Sequence, residues 1–184
     1  MQKKLKNLSK DSIVLVISNP RKHRDVNFNI LKYMTENKQR GVYVSLNLHC
    51  DKVKKLLEDY LIDPKNIHLV CCKNGCSIDK RSSCSFISSP EQLTTLSTYL
   101  SKLIESGDFR FVLFDSITTL LMYNERSTTL KFLNFLSTRI SSSGVKSVFT
   151  TLQDKKSEEV IEEFSQFCDE VMDLRKGTGA ASKF

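Results

Sequence analysis

The sequence predicts an α/β protein whose mainly parallel sheet carries helices on both faces. Three observations lead there. Short runs rich in β-branched and aromatic residues recur along the chain, separated by amphipathic segments of helical period. The first run, Ser12–Ile17 (SIVLVI), is apolar without alternation, the pattern of a strand covered on both sides. The intervening segments are long enough to carry the chain back over the sheet, so successive strands run parallel through right-handed crossovers.

Each element has its own justification. After the first strand, residues 27–37 read as a helix with Phe28, Ile30, Leu31 and Met34 facing inward, stopped at Gly41. Val42–Leu46 (VYVSL) is the second strand, and Asp51 is placed to cap a helix running to Tyr60 on Val53, Leu56 and Leu57. The Asp63-Pro64 turn leads into strand three, Ile67–Cys71. Residues 73–89 are polar and Ser-rich and read as a loop. Ser89 and Pro90 then open a helix on which Leu93, Leu96, Leu100, Leu103 and Ile104 share a face, ended by Gly107. Strand four is Arg110–Asp115 (RFVLFD), apolar up to its terminal carboxylate. A helix from Thr128 to about Ser142 aligns Leu130, Leu133, Leu136 and Ile140, and Gly144 separates it from strand five, Val145–Thr150. An acidic helix, Glu158–Phe167, precedes a sixth strand at Val171–Leu174. Residues 1–175 are expected to form one domain, and Lys176–Phe184, which has no apolar period, a flexible tail.

Composition narrows the class of protein. No apolar run approaches the roughly 20 residues of a membrane-spanning helix. The basic lead MQKKLKNLSK runs into only five apolar residues, Ile13–Ile17, too few for a secretory signal. A membrane or secreted protein is therefore not expected, and the six cysteines read as reduced thiols in the cytoplasm. The first 40 residues hold ten Lys/Arg against three acids, which accounts for the whole net charge of +7. That bias suits an anionic partner or a solubilising arm. Acids gather at the other end (Glu158, Glu159, Glu162, Glu163, Asp169, Glu170, Asp173), so protein partners, including a second copy bound head to tail, are expected.

In open α/β sheets ligands bind beyond the carboxyl ends of the strands. Strand one delivers Ser18-Asn19-Pro20-Arg21-Lys22-His23-Arg24-Asp25 directly before a helix, where a phosphate-binding loop would lie. On the Walker A spacing G-x-x-x-x-G-K-[ST], Ser18 and His23 replace the glycines, Arg24 the lysine and Asp25 the hydroxyl residue. Pro20 also removes an amide donor. Arg21, Lys22 and Arg24 form either a side-chain anion site at Ser18–Asp25 or a solvated basic loop, and residue types alone do not choose. Strand four delivers Asp115-Ser116, the form of a Walker B segment, whose carboxylate orients magnesium. Strand two delivers Asn47, an amide that cannot serve as a base. Asn19, Arg21, Lys22, Arg24, Asp25, Asp115 and Ser116 are the candidate cofactor-binding set, for ATP and Mg²⁺ if any cofactor binds, and no catalytic residue is assigned.

These segments, together with SPEQLTTLSTYLSKLIE, FVLFDSITTLL and GVKSVFTTLQD, resemble the RecA/KaiC-like ATPases, close to the stand-alone KaiC-type proteins of archaea, over about residues 12–174. The resemblance implies a three-layer RecA-like, P-loop-NTPase-type core. Only Asp115 and Ser116 match its motifs; the Walker A glycines are missing, and Asn47 falls where the family's catalytic Glu is expected. The resemblance thus implies a degenerate, non-catalytic member with a regulatory or assembly role. The alternatives are an ATP-binding protein using Arg24 and Asp115, and a nucleic-acid-binding protein using Arg21, Lys22 and Arg24.

In the run His68, Cys71, Cys72, Cys76 and Cys84, Cys72 and Cys76 have a permitted zinc-ligand spacing but Cys84 forms no second pair, so no metal ligand is assigned. His23 and His49 stand apart from other ligands and are expected to face solvent. Phe132, Phe135, Phe164 and Phe167 are expected in the core or at an interface edge.

Overall fold

The computed structural model describes residue 5 and residues 8–72 and 84–175. Seven strands form one sheet: β1 (Ile13–Ser18), β2 (Gly41–Ser45), β3 (Ile67–Cys71), β4 (Cys84–Phe86), β5 (Phe111–Asp115), β6 (Lys146–Leu152) and β7 (Glu170–Asp173). Among the described residues these helices connect them: α1 (His23–Met34), α2 (Cys50–Asp59), α3 (Leu93–Glu105), α4 (Ile117–Tyr123), α5 (Arg126–Ser142) and α6 (Glu158–Ser165). The strand order is β4-β3-β2-β5-β6-β1-β7, and every neighbouring pair is parallel.

Alternation along the strands divides the core into two layers. Leu15, Val44, Phe114 and Phe149 pack with α3–α6 through Leu96, Leu120, Leu133 and Phe164. Val14, Tyr43, Leu113 and Val148 pack with α1 and α2 through Phe28, Leu31, Val53 and Leu57. This is the three-layer arrangement that uninterrupted apolar strands require, since both faces must leave water. Leu5 is buried in the second layer, and Lys146 Nζ donates to the carbonyls of Leu5 (3.1 Å) and Leu8 (3.2 Å). Part of the basic N-terminal segment therefore docks on the domain.

Several boundaries differ from the sequence expectation, each for a local reason. Helix α1 starts at His23, four residues before Asn27. Asn19 Oδ1 accepts from the Arg21 N–H (3.0 Å) and the Asn19 carbonyl from the Lys22 N–H (3.0 Å), so the chain turns as soon as β1 ends. Asp51 does not cap α2: His49 holds the N-cap position, and exposed Asp51 lies 3.9 Å from Lys54. The segment read wholly as a loop ends in β4, a three-residue edge strand beside β3. Helix α4 was not expected; Ser116 caps it, accepting from the Thr119 N–H at 3.3 Å. The last strand begins at Glu170 and pairs with β1. Phe132 and Phe164 are buried, whereas Phe135 and Phe167 are exposed. The expected tail, Lys176–Phe184, lies outside the described residues. Among the described residues no helix is long and apolar enough to cross a membrane.

Candidate functional site

The crossover from β1 to β2 skips β6 and β5, so the loop after β1 and the first turn of α1 lie over the carboxyl ends of the central strands. Ser18 closes β1 and Asp115 closes β5, with β6 between them. One side chain spans that gap. His23, the first residue of α1, places Nδ1 2.7 Å from Ser18 Oγ and Nε2 2.8 Å from Asp115 Oδ1. The other carboxylate oxygen, Oδ2, accepts from the Tyr43 hydroxyl of β2 at 2.7 Å. Asn27, one helical turn after His23, sets its Nδ2 3.2 Å from the same imidazole nitrogen.

Burial strengthens this network. The His23 side chain is 12% exposed and that of Asp115 only 5%. Each oxygen of the enclosed carboxyl group has a hydrogen-bond partner, as a buried polar group requires. Burial, then the charge of Asp115 and the hydrogen bond to it, hold the Tyr43 hydroxyl well above its ordinary value, so Tyr43 remains a donor. With Nε2 directed at Asp115, Nδ1 faces the Ser18 hydroxyl, so both ring nitrogens are engaged. The chain Ser18–His23–Asp115–Tyr43 thus joins β1, α1, β5 and β2 through side chains alone.

A serine, a histidine and an aspartate in sequence suggest nucleophilic catalysis, which needs a hydroxyl open to substrate. Ser18 is 1% exposed, with no approach from solvent. The array is a closed clamp.

The sequence-predicted residues do not stay together. Asp115 sits in the clamp. Ser116 follows it through a cis peptide bond and serves α4 instead, its hydroxyl 3.0 Å from Thr119 Oγ1. Asn19 shapes the turn, while Arg21, Lys22 and Arg24 stand exposed on the rim. Asp25 is turned aside, accepting from the hydroxyl of Tyr60. Asn47 is exposed beyond β2.

His23 corrects the expectation of a solvent-facing residue. Sequence reasoning also missed Asn27 and Tyr43. Signals for them exist: His23 and Asn27 are polar at a four-residue spacing on the face that also carries Phe28 and Leu31, and Tyr43 is an aromatic hydroxyl within a buried strand.

The cysteines are arranged differently from the run considered in the sequence. Cys50, Cys71 and Cys84 converge at the β3–β4 edge of the sheet. His68 points to the opposite face, with Nε2 3.1 Å from Ser85 Oγ and 3.2 Å from the Tyr99 hydroxyl. Cys72 is buried in the core on that opposite face, and Cys76 lies outside the described residues. In the acidic helix α6, Glu159 and Glu163 both pair with Arg126 of the same chain.

Comparison with known proteins agrees with this architecture. A solved structure titled as the KaiC-like protein PH0186 from the hyperthermophilic archaeon Pyrococcus horikoshii OT3 matches with a TM-score of 0.65 at 18% identity, over 92% of this chain and 74% of that one. At that identity the likeness is one of fold, and the chain has a RecA/KaiC-like fold. No curated protein matches the sequence. Residues 12–174 match the model of a family of unknown function, DUF7504, and the chain belongs to that family.

Proposed function

We propose that this protein is a degenerate, non-catalytic RecA/KaiC-like domain that acts in regulation or assembly by binding protein partners. The observation that carries the reading is the occupation of Asp115. In a working site of this design the carboxylate at the end of the β5-type strand faces magnesium and its waters. Here its two oxygens accept from His23 and Tyr43. His23 falls at the second glycine of the Walker A spacing, and its ring takes a carboxylate contact that a metal would need. These residues do not fit Mg-ATP. The amide of Asn47 in place of a base supports the same reading.

The partners are expected to be proteins, reached through surfaces away from the clamp. Self-association through the acidic helix is less favoured than its composition suggests, because Arg126 already engages two of its glutamates.

A second reading has one observation in its favour. Arg21, Lys22 and Arg24 remain exposed where α1 begins and could hold an anion, a nucleotide or nucleic-acid phosphate, without displacing the clamp. Calorimetry with ATP and ADP at millimolar concentration, with Mg²⁺, separates the two. The first reading expects no heat from folded protein; binding that disappears in Arg24→Ala favours the second. ATP hydrolysis above a mock-purified control, lost in Asp115→Ala, would falsify the non-catalytic assignment.

A further inference from the structure

At the β3–β4 edge, three sulfur atoms from separate parts of the chain meet. Cys50 is the first residue of α2, Cys71 the last of β3 and Cys84 the first of β4. The three Sγ atoms lie within 4.8 Å of one another, and that of Cys50 touches both others. The backbone produces the meeting. Cys84 stands beside Leu69 and Phe86 beside Cys71 in the parallel register, so Cys71 and Cys84 lie diagonally on one face of the sheet. The N-terminus of α2 lowers Cys50 onto that face, with Cα–Cα distances of 6.0 Å to Cys71 and 7.1 Å to Cys84.

Valence decides what such a group can be. One sulfur makes one disulfide, so a disulfide can account for two of the three and leaves the third against it. A single ion with thiolate preference accounts for all three. Soft thiolate ligands select Zn²⁺ and Cu⁺ among biological ions. Three thiolates complete a trigonal Cu⁺ centre, or supply three of the four positions around Zn²⁺, with solvent or a small ligand as the fourth. Cys50 and Cys71 are buried and Cys84 is partly exposed, so the group has a dry interior and an entrance. Cys72 and Cys168 are of another kind: burial pushes the thiol of each up to about 12.

We propose that Cys50, Cys71 and Cys84 form a three-thiolate site for a thiophilic d¹⁰ metal ion, Zn²⁺ or Cu⁺. The site is independent of the reading given for the clamp. The test uses the full chain, purified under reducing, anaerobic conditions and stripped with a chelator. Zn²⁺ and Cu⁺ are then titrated separately against a competing chromophoric chelator. One equivalent of one of these ions is expected to bind. Affinity should fall by at least about 100-fold in Cys50→Ser, Cys71→Ser and Cys84→Ser, and be unchanged in Cys72→Ser and Cys168→Ser. Cobalt added to the wild-type chain should give thiolate-to-metal charge-transfer absorption, a readout that does not depend on a variant folding. Three results overturn the proposal: no binding of either ion by the folded wild-type chain, binding unaffected by the three substitutions, or a chain that remains lighter by two hydrogens in the presence of reductant because Cys50 is held in a disulfide.

Discussion

The clamp over the central strands and the sulfur corner at the β3–β4 edge are both polar gatherings near the carboxyl ends of strands, and they differ in complementarity. In the clamp, donors can meet acceptors: hydroxyl to imidazole, imidazole to carboxylate, phenol to carboxylate. Ser18, His23, Asp115 and Tyr43 thus find partners in one another, while the buried Oδ1 of the adjoining Asn27 has none among the described residues. In the sulfur corner all three groups are of one kind. Three sulfurs in mutual contact exceed what one disulfide can join, so the corner suits a bound cation. The lesson is that the two gatherings differ in what they ask of their surroundings: the groups of the clamp answer one another, and the three sulfurs do not.

The largest test of that contrast removes the centre of the clamp. Asp115→Ala leaves Tyr43 and His23 without their shared acceptor and should destabilise the chain by about 3 kcal/mol, read by urea denaturation. Asp115→Asn keeps an acceptor for one of them and should cost less; an Asp115→Ala variant as stable as wild type would break the comparison. Tyr43→Phe removes one donor from a buried carboxylate, with an expected loss of about 1–2 kcal/mol in the same measurement. Chemical labelling comes next. A serine-directed fluorophosphonate is expected to leave Ser18 unmodified; stoichiometric labelling there would turn the clamp into a catalytic array.

The smallest effect uses His68 as a control, a half-buried imidazole that faces hydroxyls instead of a carboxylate. Burial, then the charge of Arg40, lowers its affinity for protons below the ordinary 6.5. The unfolded chain therefore takes up that proton first as pH falls. The contribution to stability is fully present above about pH 6.5 and is lost progressively on acidification below it. His68→Gln should flatten the decline of Tm between pH 7 and pH 5; an identical decline would show that His68 plays no part in it.

Much of the fold was legible because it rests on local signals. The apolar run that became β1, the leucine spacing of α3 and the carboxylate closing β5 can each be read within one segment. The elements that escaped are those whose local signal is weak. Strand β4 is three residues in a polar stretch and exists because β3 offers it a partner. The early start of α1 depends on the turn that Asn19 makes.

The candidate site divides in the same way. Asp115 could be found because a carboxylate after four apolar residues is a local pattern. Its partners could not, since His23 lies 92 positions away along the chain and Tyr43 72. Cys50 likewise escaped a search for closely spaced ligands, standing 21 residues before Cys71 and 34 before Cys84.

By itself, then, the sequence determined which segments are strands, which are helices, and that both faces of the sheet must be covered, because hydrophobic period and turn chemistry act over a few residues. The tertiary structure alone decided that His23 lies on Asp115 instead of facing solvent, and that three distant cysteines share one corner. Such contacts follow from strand order and crossover path, which bring together groups that no local pattern relates.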